Sequence, residues 1–267
     1  MTIAAGFVHK DGVLLSSESR VESDSSKELG WKILPLNGDW GDGLVAYAGT
    51  VDVAVSAIQK FDRKLKRTKP ENILEELEQA LEKEWKRKVF AHPLYGEDDC
   101  PDYQLLLAIR PQGEISRLYV TSETTIHEVN GFRCIGSGAD LATHLLGPTM
   151  LGNMDEERVA CLAAYVLAEV KRSVPGCDGL SIFRSLRNDG TEKDYFGQAL
   201  PKFVEIIAQE FDRDVGLLLM STFCDDDKNF EWNVDVFPRR IRHLRARWLE
   251  ARKTGITTTI DEVPRPQ

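Results

Sequence analysis

The sequence predicts an α+β protein built as a four-layer αββα sandwich with a C-terminal extension. Strand-like and helix-like segments fall in segregated runs: strands, two helices, strands, two helices, strand. That order suits two sheets, each covered on its outer face by a helix pair. The composition is that of a globular domain, 42% apolar and 29% charged over 267 residues, with length for a sizeable core and no repeat of solenoid period.

Ile3 to Val8 and Val13 to Ser19 flank Lys10-Asp11-Gly12, and Asp-Gly between apolar runs signals a hairpin. Lys32 to Leu36 and Leu44 to Ala48 read as a second strand pair around the Gly- and Asp-rich stretch Asn37 to Gly43. Val53, Ala57 and Leu65 keep helical spacing, and after Pro70 the stripe Ile73, Leu77, Leu81, Trp85 marks a second helix. Its acids come early and Lys86, Arg87 and Lys88 late, as the helix dipole favours. Tyr103 to Ile109 and Ile115 to Val120 form the next hairpin, and Phe132 to Ile135 a further strand. Two helices follow, the second capped by Asp155 and burying Val159, Leu162, Ala163, Val166 and Val170. Leu180 to Leu186 is then a strand ending at Asn188-Asp189-Gly190.

Beyond it, Leu200 to Phe211 is helical in pattern, and Val215 to Met220 and Glu231 to Val236 read as strands. Arg239 to Lys253 reads as a basic helix with Ile241, Leu244, Trp248 and Ala251 on one side, suited to packing on a neighbouring element or an adjacent subunit. The end, 256–267, is expected to fray. On this reading 2–190 is the sandwich core, 191–238 adds elements to it, and 239–267 is a basic helix and tail.

Net charge is −9, although residues 239–253 alone carry +6, so the rest of the chain is strongly acidic and no nucleic acid partner is expected. Cys100, Cys134, Cys161, Cys177 and Cys224 are odd in number and widely spaced, which reads as a reduced, cytoplasmic chain. Apolar runs are far shorter than a membrane span, so no membrane association is expected. The five histidines form no ligand spacing, and neither a metal nor a cofactor is expected.

Chemistry is concentrated at Thr2. Removal of Met1 before so small a residue would leave a hydroxyl nucleophile and a free α-amine on one residue. With a reference pKa of about 7.7–8.0, that amine can take the Oγ proton. Thr at position two is common without any such role, so its weight depends on the motifs that accompany it.

Those motifs occur in order. Ser17-Glu18-Ser19-Arg20 ends the second strand, Trp31-Lys32-Ile33 opens another, Ala48-Gly49-Thr50 precedes the first helix, and Gly136-Ser137-Gly138 lies between a strand and a helix. Together with Thr2 they resemble the proteasome-type N-terminal nucleophile hydrolases over about Thr2 to Gly190, specifically the small bacterial members: the peptidase of the two-component ATP-dependent protease and the bacterial proteasome β-subunit homologues.

The resemblance implies a threonine-type endopeptidase. Thr2 would be nucleophile and its own amine the base; Lys32 would lower the pKa of both, balanced by Glu18; Gly49 would supply an oxyanion N–H; Ser137 would relay the amine's proton. Each residue also has a plainer reading: Glu18 and Lys32 as a structural ion pair, Gly49 as a turn glycine, Ser137 as an N-cap. Glu18 stands where that family has Asp. Asp178-x-x-Ser181 has the spacing of its accessory pair, but the strand register puts Ser173 and Gly176 at the matching positions, so both residues stay outside the predicted site.

The resemblance further implies a stacked-ring homo-oligomer acting on polypeptides, and it admits an ATP-dependent unfoldase as feeder. Two alternatives remain open at this level: a non-proteolytic amidohydrolase of the same fold, and a catalytically silent proteasome-like scaffold.

Overall fold

Alternation along a single strand sets the layers. In Tyr103–Pro111, Leu105, Leu107 and Ile109 face one apolar cluster while Leu106 and Ala108 face another, so both faces of this strand are buried. The computed structural model describes residues 2–22, 27–98, 100–147, 154–194, 199–223 and 227–253. Met1, Cys224 and the tail from 256 lie outside them.

The elements run β1 (Ala4–His9), β2 (Gly12–Glu18), β3 (Arg20–Glu22), β4 (Lys27–Leu29), β5 (Ile33–Gly38), β6 (Gly41–Gly49), α1 (Val51–Leu65) and α2 (Ile73–Trp85). Then come β7 (Tyr103–Pro111), β8 (Arg117–Ser122), β9 (Thr125–Val129), β10 (Phe132–Ile135), α3 (Ala139–Leu146), α4 (Glu156–Ser173), β11 (Ser181–Arg187), β12 (Glu192–Asp194), α5 (Ala199–Ser221) and α6 (Asp227–Lys253). The chain divides into two compact units, 1–196 and 197–267.

The first unit is the αββα sandwich. One five-stranded sheet has the order β10-β1-β2-β11-β12 and the other β5-β6-β7-β8-β9, with β3 and β4 as a separate ribbon. Inward-facing Val13, Leu15, Leu44, Ala46, Leu106, Ala108 and Ile182 fill the space between the sheets. Ala54, Ile58 and Phe61 of α1 and Leu77 and Leu81 of α2 pack on the outer face of the second sheet. Phe61 is fully buried, and burial of such a side chain contributes about 1.5–3 kcal/mol. α4 covers β1, β2 and β11 while α3 packs on β10. The Asp155 carboxylate accepts the Arg158 N–H and starts α4 as its N-cap. Leu162, expected in the buried face of α4, is only half-buried, and Leu167 occupies the core position.

The hairpin turn falls where Asp-Gly placed it, with Val8 opposite Val13 and His9 opposite Gly12. β9 was not foreseen: Thr-Ile-His-Glu-Val at a sheet edge lacks the apolar alternation of a half-buried strand.

The second unit corrects the sequence reading. Val215–Met220 and Glu231–Val236, read as strands, are helical, within α5 and α6 respectively. A short apolar run cannot separate a strand from a buried helical turn, and the Leu and Met residues of the first run are strong helix formers. α6 starts well before Arg239 and continues through Pro238. The two helices pair through Phe203 stacked on Trp248, ring centroids 6.1 Å apart, and through Arg240–Asp214 at 2.7 Å and Arg247–Glu210 at 2.6 Å. Leu244 is buried, so part of the basic helix's apolar stripe is used within the chain.

Candidate active site

Antiparallel pairing brings strand ends together. The start of β1, the end of β2, the starts of β5 and β7 and the ends of β6 and β10 meet at one end of the two sheets, and Thr2, Glu18, Lys32, Gly49 and Ser137 sit at or beside those termini.

Thr2, just ahead of β1, is buried. Lys32 Nζ donates to Thr2 Oγ1 at 2.7 Å and also to Glu18 Oε1. Glu18 and Lys32 are both fully buried, and the second carboxylate oxygen of Glu18 accepts the Arg20 N–H at 2.5 Å. Glu18, with one methylene more than Asp, therefore reaches the lysine from the end of β2. Burial pushes its carboxyl above the ordinary glutamate range, while the Lys32 charge and hydrogen bonds from Lys32, Arg20 and Thr2 act against that shift.

Ser137 lies in the turn between β10 and α3. Its Oγ accepts from Thr2 N at 3.0 Å and donates to the Thr2 carbonyl at 3.3 Å. With Met1 in place that Thr2 nitrogen is an amide. Ser137 is not the helix cap: the cap position of α3 is Gly138, and no side chain caps it. Gly136, at φ 91°, makes the approach to Thr2 feasible, because a Cβ there would stand 2.3 Å from the Thr2 carbonyl oxygen.

Gly49 ends β6 at φ 102°, and a Cβ there would meet the Asp102 carbonyl at 2.3 Å. Thr50 N donates to that carbonyl at 2.7 Å, so by ladder alternation the Gly49 N–H faces away from β7. Thr2, Gly49, Gly136 and Ser137 line one cavity of about 450 Å³.

Asp178 and Ser181 are engaged elsewhere: Asp178 with Arg20 at 3.1 Å, Ser181 with Lys171 at 2.8 Å. The neighbour of Ser137 is Cys177, with its sulfur 3.8 Å from the serine oxygen. Sequence reasoning gave neither Gly136 nor Cys177 a part in the site. The Gly-Ser-Gly triplet was the available signal for Gly136, and nothing local marked Cys177.

The fold is proteasome β-subunit-like, and it brings Thr2, Lys32 and Glu18 together where its strand ends meet. Solved structures share that fold: Anbu, described as an ancestral β-subunit, from Yersinia bercovieri has a TM-score of 0.66 at 12% identity, covering 80% of this chain and 95% of its own. Anbu from Hyphomicrobium sp. strain MC1 gives 0.65 at 13%, covering 80% and 96%. The Anbu complex of Pseudomonas aeruginosa, described as a helical assembly, gives 0.68 at 13%, covering 82% and 95%.

No protein-family model and no curated protein sequence matches the chain. The resemblance to the small bacterial peptidases is corrected by these neighbours, which are Anbu proteins. Among the described residues no helix is long and apolar enough to cross a membrane.

Proposed function

We propose that this chain, once Met1 is removed, is a threonine-type peptidase acting on polypeptides within a self-assembled, proteasome-like oligomer. The observation that carries the proposal is the 2.7 Å contact from Lys32 Nζ to Thr2 Oγ1, made by a lysine held by a buried carboxylate. A buried ammonium aimed at a hydroxyl lowers the cost of forming the alkoxide.

Each step then has a residue. Thr2 Oγ1 attacks the scissile carbonyl and its proton passes to the Thr2 amine, which Ser137 orients. The Gly49 N–H stabilises the oxyanion. The C–N bond breaks as the amine's proton moves to the leaving nitrogen, leaving an ester on Thr2. Water, giving a proton to the same amine, releases the acid and restores the hydroxyl. While Met1 is attached the nitrogen is an amide and has no basic lone pair.

The helical assembly described for the Pseudomonas aeruginosa protein supports self-association as part of the proposal, which admits an ATP-dependent unfoldase as feeder. The test is release of a fluorophore from short peptide amides by the Met-processed protein and by Thr2→Ala, with oligomer size measured alongside. Activity in wild type and none in an equally assembled Thr2→Ala supports the reading; equal rates in the two overturn it.

A further inference from the structure

The cavity beside Thr2 has its own chemistry. At about 450 Å³ it falls in the range of roughly 300–1,000 Å³ typical of small-ligand sites. Its other lining groups include Thr50, Gln104 and Ala48, and among the described lining residues Asp102 is the only charged one.

The position of Asp102 is fixed by its backbone. Its carbonyl takes the Thr50 N–H at 2.7 Å and abuts Gly49, the residue that ends β6. The side chain is solvent-accessible, yet burial of the carboxyl pushes its pKa up from the ordinary aspartate value. The Tyr103 N–H acts against that shift, and the charge of Glu123 adds to it.

The charged residue of this cavity has no counter-ion among the described residues. Asp42 is paired with Arg110, Asp178 with Arg20 and Glu84 with Lys60, whereas among the described residues no lysine, arginine or histidine pairs with Asp102. A partly desolvated carboxylate without a counter-ion, with a second carboxylate near it, is a fixed field that favours an incoming positive charge and disfavours a negative one.

We propose that Asp102 makes this cavity a receptor for a cationic side chain, so that the preferred substrates are peptides in which Lys or Arg donates the attacked carbonyl. This rests on the peptidase reading of Thr2, since the cavity gains its meaning from the nucleophile in its wall. Neutral polar Thr50 and Gln104 can accept further hydrogen bonds from a guanidinium or ammonium, and an aliphatic side chain would leave the carboxylate covered and unpaired. Asp102 is a specificity residue here and takes no part in bond making.

The experiment uses three otherwise identical fluorogenic peptides ending in Arg, Leu or Glu, with the assembled wild type, Asp102→Asn and Asp102→Lys. The result expected is a kcat/KM at least tenfold higher for Arg than for Leu, with Glu lowest. The Arg-to-Leu ratio, which cancels any general change in activity, should fall about tenfold in Asp102→Asn and invert towards Glu in Asp102→Lys. Hydrolysis of the Leu peptide with no Arg preference, or a ratio unmoved by either substitution, overturns this inference and leaves the peptidase reading standing. No hydrolysis of any of the three by wild type counts against the peptidase reading and removes this inference with it.

Discussion

Gly136 and Thr2 are so close that a single added carbon on the glycine would stand 2.3 Å from the threonine's carbonyl oxygen. The turn after β10 thus brings Ser137 to the Thr2 nitrogen by giving up a side chain at the preceding residue. Position 136 also needs φ 91°, which only glycine adopts without strain.

Gly136→Ala should therefore cost about 1–3 kcal/mol in backbone strain, plus the displacement of Thr2. Thermal unfolding should show Tm lowered by about 2–12 °C for a unit of this size. Gly147→Ala, where the nearest atom is 3.5 Å away and φ is ordinary, is the control and should be neutral or slightly stabilising. Equal Tm changes in the two variants would mean that the close approach at 136 is unimportant.

Lys32→Met tests the buried pair. Breaking such a pair from one side costs about 3–5 kcal/mol, because a charge is left enclosed without its partner. The cost should depend on pH. Burial already raises the Glu18 carboxyl, and removing Lys32 removes the main opposing charge. An acid with a raised folded pKa adds stability below its unfolded value near 4.5, and that stability is lost as pH rises through the folded value. Urea unfolding should accordingly show a smaller loss at pH 5 than at pH 8. A loss independent of pH would show that Glu18 does not take up the proton.

Ser137→Ala removes the hydroxyl bonded to both Thr2 N and Thr2 O. kcat should fall by a factor on the order of 10² with KM little changed, and the limb of the pH–rate profile set by the Thr2 amine should move. A change confined to KM would make Ser137 a substrate contact instead.

His9 predicts the acid side of the stability curve. Its Nδ1 accepts the Asp11 N–H at 3.2 Å, and its Nε2 lies 3.1 Å from Ser185 Oγ, so the neutral ring donates from Nε2. Burial lowers its pKa most and Arg187 adds to that, while Glu156, Asp11 and Asp155 pull it upwards. A base lowered in the fold binds its proton more readily when unfolded. The stability it supports is complete above 6.5 and is lost as pH falls through the folded value. Unfolding free energy measured from pH 7.5 to 5 should drop, and His9→Gln should flatten that drop. A wild-type curve as flat as the variant's would exclude His9 as its source.

How much of this the sequence showed depends on how local each signal was. The β1–β2 hairpin was legible because Asp11-Gly12 and the alternation beside it act within a few residues. The cluster of Thr2, Glu18, Lys32 and Ser137 was legible only through spaced triplets, since its members come together through pairing of strands far apart in the chain. Cys177 beside Ser137 is a product of how α4 returns to β11, and no local pattern announces such a contact. The second unit was misread where apolar runs were short. Val215 to Met220 is an apolar run of strand length, but it belongs to a 23-residue helix, paired with α6 through aromatic and ionic contacts distant in sequence. Neither length nor pairing partner is encoded in six residues.

The most direct test of the nucleophile is the intact mass of the purified protein before and after incubation with peptide epoxyketones bearing a basic, an apolar or an acidic end residue. The probe needs the hydroxyl and the free amine of one residue to form its double adduct. Loss of Met1 and one stoichiometric adduct, absent in Thr2→Ala, is the predicted result. Retained Met1, or a processed chain that takes up none of the three probes, would contradict it.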